Sequence, residues 1–449
     1  MLNGFSGTRP GATSLSLAVY DIYRRLAVWA LLLPLAGVCQ GYQDEEARTA
    51  LLSRVMGTMR HALARMPDYT CTETITRSTG DGTPLRVRTL ERLRLQVALI
   101  GGKELFSWPG AAPFERDSLY DLVGGGTAGT GDFAGFSRGV FGSDAARFTT
   151  GEEEVRAEKR TVRYDYIVPR TSSGYVLRSG ADSAVVDYAG SFWVDPATER
   201  VLTLQVEADI RRNNIPDVLN MFDVKTLLDF KHILIGGEDL PFPDSSTLTV
   251  VHLRNSIVSN NRIEFSGCRQ YAAESSIQFG ERSMVAPAAS VPPLPAELPD
   301  GLDFEVTLEE PIRAASSAAG DAVSAILLHP VKAGALRIPK GARLVGRILS
   351  LETDLDTNAT HVRLGFSHLE TEGRYFPFRA RFVTSKSAPG VVEGGPQRAK
   401  WINLRDIRNA GRPEWMTRTD FTLRGKEGQM AKGFRMEWTT ISAPVPRTK

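Results

Sequence analysis

From Tyr69 onward the chain adopts a period of two and keeps returning to it. Tyr69, Cys71, Glu73 and Ile75 alternate with Thr70, Thr72, Thr74 and Thr76, which predicts a strand with one hydroxyl face. Val162, Tyr164, Tyr166 and Val168 fall on one side of the next clear example. Leu202, Leu204 and Val206 oppose Thr203, Gln205 and Glu207 in another. Side chains switch faces at every residue of a strand, so such runs build antiparallel sheet with one dry and one wet face. Further strands are expected over residues 85–97, 103–108, 174–177, 183–188, 191–194, 227–234, 246–253 and 262–271. One helix precedes them: Ala47, Leu51, Val55, Met59 and Ala62 recur at three-to-four spacing over 45–66. Asp44, Glu45 and Glu46 suit its positive end, and Pro67 stops it.

Ahead of the helix, Arg24 and Arg25 lead into an apolar run over 26–38, and small or polar residues follow at Gln40 and Gly41. A basic start, a short apolar stretch and a small-residue exit describe a secretory signal peptide, here 1–41, and predict a periplasmic or secreted protein. The run falls short of the about 20 residues a membrane helix needs, so no transmembrane span is expected in the mature chain. Val38 occupies the place where a lipobox requires a small residue before Cys39, which argues against lipidation. Cys71 and Cys268 remain. In an oxidising compartment they read as one disulfide if their strands lie side by side, or else as two buried thiols.

Charge excludes some functions. Lys plus Arg number 54 against 52 Asp plus Glu in 449 residues, and clusters such as Arg211-Arg212 are short, so no nucleic-acid partner is expected. The six histidines have no paired spacing; His361 and His368, seven apart in an expected strand, should face opposite sides. No CxxC or HExxH pattern occurs, and no catalytic residues, metal site or cofactor are expected, so the chain reads as a non-enzyme. The Gly-rich stretch 124–135 lacks the lysine of a phosphate loop and reads as a turn before a short helix at 132–140. Glu152, Glu153 and Glu154 read as solvated carboxylates before a strand.

Phe192-Trp193-Val194-Asp195-Pro196-Ala197-Thr198, running into the strand 201–207, resembles the W-x-D-P-x-T hairpin of lipoprotein carriers of the LolA/LolB type. Asp-Pro is also a sound turn opener. The resemblance covers roughly 44–279 and implies a curved, incomplete antiparallel β-barrel around an apolar cavity, closed by helices. Segments such as GKELFSWPGA, GSFWVDP and EFSGCRQY are similar to a group of uncharacterised exported bacterial proteins.

Composition shifts after residue 280. An Ala/Pro-rich stretch within 281–300 reads as a semi-rigid linker. Beyond it, over 301–445, strand and Gly or Pro turn repeat, which predicts a smaller C-terminal β barrel or sandwich with a flexible loop at 384–414. The segment 320–348 is similar to a β module of bacterial envelope and secretion proteins. The fold class is therefore mainly β: an incomplete barrel with an N-terminal helix over 42–280, then the smaller unit. The expected function is a binding module for a lipid, acyl chain or apolar peptide, with Tyr164, Tyr166, Leu202, Leu204, Val206, Ile263 and Phe265 as candidate lining. The alternative is an assembly component whose C-terminal unit docks an envelope protein.

Overall fold

The structure, a computed structural model, describes residues 44–82, 84–110, 119, 122, 127–129, 133–149, 151–156, 158–209, 215–235, 237–271, 297–394, 417–425 and 428–441. The expected signal peptide, Cys39, most of the linker and most of the loop 384–414 lie outside them.

Helix α1 spans 44–65. Leu51, Val55, Met56, Met59, Ala62 and Leu63 form its buried stripe, while Ala47 is exposed in the first turn. The strands that follow are β1 (Tyr69–Asp81), β2 (Arg86–Ile100), β3 (Lys103–Ser107), β4 (Arg147–Phe148), β5 (Glu152–Arg156), β6 (Lys159–Val168), β7 (Val176–Ser179), β8 (Asp182–Val185), β9 (Tyr188–Asp195), β10 (Arg200–Asp209), β11 (Met221–Ile235), β12 (Glu238–His252) and β13 (Val258–Gln270). A second helix, α2 (Phe133–Phe141), precedes β4. The ladder runs β3-β2-β1-β13-β12-β11-β10-β9-β6, antiparallel throughout, with β4 and β5 in succession along the far side of β6. Among the described residues the two ends do not pair with each other, so the sheet is open. β7 and β8 form a separate hairpin.

Two expectations at strand level change. Glu152–Arg156, read as solvent-exposed lead-in, is itself the edge strand β5. Glu152 and Glu153 are exposed, as expected of solvated carboxylates, with Arg163 reaching Glu152 at 3.2 Å, while the half-buried Glu154 accepts from Trp193 Nε1. β12 begins eight residues before the expected 246, passing through Pro241 and Pro243. Both prolines fall where β12 pairs only with β11, because its ladder with β13 starts at Ser245. Proline lacks the N–H a central strand must donate, so it is tolerated on this locally free edge.

Cys71 and Cys268 form a disulfide between β1 and β13, with Cα atoms 4.1 Å apart. It closes a loop of sequence separation 197, worth about 5 kcal/mol in chain-entropy terms.

The second unit contains β14 (Asp303–Leu308), β15 (Ile312–Arg313), β16 (Ala322–Leu327), β17 (Val331–Ala333), β18 (Leu336–Ile338), β19 (Arg343–Asp354), β20 (Ala359–Thr371), β21 (Arg374–Pro377), β22 (Ala380–Ser385), β23 (Val391–Glu393), β24 (Thr417–Arg424), β25 (Gln429–Met430) and β26 (Arg435–Thr440). Its ladder runs β22-β26-β14-β16-β19-β20-β24-β23. The sheet curls until Phe382 of β22 meets Phe421 of β24 edge-on at 5.6 Å, around a core centred on Phe304, Phe366, Phe378 and Trp438. A bulge at Ser367 corrects the histidine expectation. Val362, Leu364 and Phe366 face the core before it and Leu369 after it, so His361 and His368 share the outer face.

The two units are not merely tethered. Glu352, Thr353 and Asp354 at the end of β19 pair with Glu91, Leu90 and Thr89 of β2, which merges both ladders into one 20-stranded sheet. Ala319 exchanges backbone hydrogen bonds with Arg94 and Arg92, at 2.7 and 2.8 Å. Arg94 pairs with Asp321, and Arg92 donates to Ala315 O at 2.7 Å. Gly320, at φ +101°, lets this segment approach: a Cβ there would lie 2.2 Å from Arg94 O and 2.8 Å from the Trp108 ring.

Candidate binding cavity

Three apolar clusters divide the concave face of the first unit. In the first, α1 and α2 cover β6, β9 and β10: Leu51, Val55, Met59, Phe136 and Phe141 interlock with Tyr164, Tyr166, Phe192, Leu204 and Val206. Tyr164 and Phe192 stack at 5.3 Å, and Phe141 meets Phe192 edge-on at 5.1 Å. Tyr164 Oη donates to Arg48 O at 2.7 Å, and Tyr166 Oη donates to Gln205 O at 2.8 Å. Burial pushes the Tyr164 phenol up to about 12 and the Tyr166 phenol well above its ordinary value. The second cluster joins Tyr69, Leu95, Val97, Phe106, Phe242, Ile263 and Phe265.

The third cluster leaves space. The β7–β8 hairpin lies over β11 and β12, held by Leu177, Val186, Ile215, Leu219, Val224, Leu248 and Val250. Beneath it is a cavity of about 320 Å³. Its floor is Met221, Val224 and Thr226 of β11 with Ser246, Leu248 and Val250 of β12; its roof is 174–178, with Ala128, Gly129 and Phe136 at the side. The floor residues share a face because alternate positions of paired strands do. Tyr175 closes one flank, its ring 5.0 Å from Phe136 and 5.8 Å from Tyr188.

Two polar groups stand out in this apolar lining. Ser246 is 1% exposed and its Oγ has no hydrogen-bond partner. Arg178 is exposed on the roof strand. Among the described residues neither a carboxylate nor a histidine lines the cavity. His252, beyond Val250 at the end of β12, has its imidazole pKa lowered by burial, and its Nε2 lies 3.0 Å from Ser259 Oγ. The arrangement is built to hold a molecule by burial and a few polar contacts, the usual construction of a small-ligand site. Among the described residues no group of three or more His, Cys, Asp or Glu side chains is placed to hold a metal ion.

The seven residues singled out from the sequence lie elsewhere. Tyr164, Tyr166, Leu204 and Val206 are buried in the filled region under α1, and Ile263 and Phe265 belong to the second cluster. Leu202 is only half-buried, because the register between β9 and β10 shifts between Val201 and Thr203 and takes it off the face of Leu204. Residues 246–253 were legible as a strand, and Ser246, Leu248 and Val250 as one of its faces. Which patch of sheet stays uncovered depends on where the helices and the hairpin land, and no local pattern records that.

The fold and cavity together define a class: a helix-covered, open antiparallel β half-barrel with an apolar cavity, joined edge-on to a second curled sheet. No family model matches the chain, and no curated protein matches it. Among solved structures it is similar to a domain from Vibrio parahaemolyticus named for outer membrane lipoprotein sorting, at 14% identity and TM-score 0.28, over 51% of this chain and 94% of that one. It is also similar to a DUF1329 family protein from Desulfovibrio piger, at 13% identity and TM-score 0.25, over 51% of this chain and 95% of that one. Among the described residues no helix is long and apolar enough to cross a membrane.

Proposed function

We propose that this protein is an exported, non-catalytic binding module of the cell envelope that takes an acyl chain, lipid or apolar peptide into the cavity under the β7–β8 hairpin. The observation that carries the reading is the cavity itself: about 320 Å³ of space on the dry face of the sheet, beside two packed apolar clusters. Apolar surface moved from water into such a space gains about 25 cal/mol per Å². A roof that is a two-stranded hairpin outside the main ladder supports entry, since it can lift without breaking a hydrogen bond of the sheet. Its strand residues Val176 and Val185 are 40% and 38% exposed.

The test is displacement of an environment-sensitive apolar fluorophore from delipidated protein, paired with native mass spectrometry of the protein purified from its own host. Saturable probe binding in the micromolar range is expected, and Leu248→Trp, which fills the cavity, should weaken it at least tenfold. A probe that does not bind the wild type, or binds Leu248→Trp equally well, would falsify the reading. Export is tested separately, by fractionating cells that express the full chain.

A further inference from the structure

We infer that the occupant is a single-chain amphiphile with an anionic head held at Arg178 and a hydrogen-bonding group further along its chain that meets Ser246. The inference rests on the cavity being the binding site. Three observations carry it. The volume of about 320 Å³ sits at the lower end of the range of about 300–1,000 Å³ typical of ligand sites, which suits one chain. Among the described residues the ionisable side chains of the lining are Arg178 and Tyr175, with no carboxylate beside them in it. Ser246 presents a hydroxyl that is buried and unpartnered, between Leu228 and Ile263 on the neighbouring strands. Buried hydroxyls are almost always hydrogen-bonded, so this orphan points to an acceptor or donor that arrives with the ligand.

The two polar points lie on different walls of the cavity, Arg178 on the roof strand and Ser246 on the floor. Arg178 follows Leu177, which packs with Leu219, Val224 and Val250. Ser246 is four residues before Val250, about 13 Å along an extended strand at about 3.3 Å per residue. The rest of the floor is Val224 and Val250 in one row and Leu248 opposite Thr226 in the next, the row beside Ser246. An elongated molecule that is polar at one end, apolar in the middle and polar again further in matches this sequence of groups. A purely aliphatic tail would leave Ser246 unsatisfied, and a cationic head would be repelled at the rim.

Competition against the apolar fluorophore with decanol, decanoate and ω-hydroxydecanoate, using delipidated full-length protein, separates the parts of this claim. Decanoate is expected to bind about tenfold more tightly than decanol, and ω-hydroxydecanoate several-fold more tightly again. Arg178→Gln, at an exposed position, should erase the preference for decanoate over decanol. Ser246→Ala, which keeps the volume, should erase only the gain from the ω-hydroxyl. Equal binding of all three, or preferences that survive both substitutions, overturns the inference and leaves the cavity reading standing. Failure of all three to displace a probe that binds the wild type and not Leu248→Trp likewise overturns the inference alone.

Discussion

Glu73 is the residue whose chemistry departs furthest from its surroundings. It sits on β1 opposite Leu95 and Phe265, is fully buried, and neither carboxyl oxygen has a hydrogen-bond partner. Burial raises its pKa well above the ordinary carboxylate value, and the nearby Glu104 adds to the rise. A carboxyl whose folded pKa is raised keeps its proton in the native state while the unfolded chain gives it up. Native stability is therefore greatest below the ordinary Glu value of about 4.3 and is lost as pH climbs from there through the raised value. Each unit of difference is worth about 1.4 kcal/mol. Glu73→Gln should remove this alkaline decline, so that urea denaturation at pH 5, 7 and 9 gives the variant a flatter profile than the wild type; parallel profiles would refute the assignment. The sequence put Glu73 on the same face as Tyr69 and Ile75 by alternation alone. That the face there is sealed, with nothing to pair the carboxyl, is a property of strands up to 197 residues away in sequence.

At the scale of elements, the cavity exists because its neighbours are full. Helix α1 contributes Val55 at 0% and Met59 at 3% exposure to the cluster over β6, β9 and β10. Gly190 of β9 permits the close packing there, since a Cβ at that position would lie 1.8 Å from Gln205 O and 3.0 Å from Tyr166 Oη. Met59→Ala should therefore cost about 2–5 kcal/mol of stability, read by chemical denaturation. Probe binding in the cavity should change little, because Met59 is not among its lining residues. Loss of binding without loss of stability would instead place the site beneath α1. The helix, most of the strands and the antiparallel pairing were legible from period and turn residues. The bulges in β10 and β20 were not: a bulge shifts the register by one residue, and the residue types at Leu202 and Ser367 carry no mark of it.

For the whole molecule, the junction of the two units is the feature with most consequence. A row of paired residues crosses it on one face: Asn261, Arg77, Glu91, Glu352, His361 and Thr422, on β13, β1, β2, β19, β20 and β24. Glu91 and Glu352 stand directly opposite each other, and Arg77 pairs with Glu91. Burial raises the Glu352 pKa, repulsion from Glu91 and Asp354 adds to it, and Arg77 opposes it. Burial lowers the pKa of His361, which thus tends to stay neutral in this row. By the same sign argument the Glu352 contribution to the edge-on contact is fullest at acid pH and falls as pH rises through its raised value, while that of His361, with its lowered pKa, runs the other way. Small-angle X-ray scattering should show a radius of gyration that grows between pH 5 and 9 in the wild type and stays constant in Glu352→Gln. An equal rise in both would remove Glu352 from any role at the junction.

The amino-acid sequence determined the elements of this protein. Period two with hydroxyl-rich outer positions makes antiparallel strands, and three-to-four spacing before Pro67 makes one covering helix. Those are local consequences of backbone geometry and side-chain type. The tertiary structure decided which part of the dry face is filled and which is hollow, that Glu73 has no partner, and that β19 continues the ladder of β2. Each of these depends on which distant surfaces meet, and close packing of whole elements settles that only when all of them are in place.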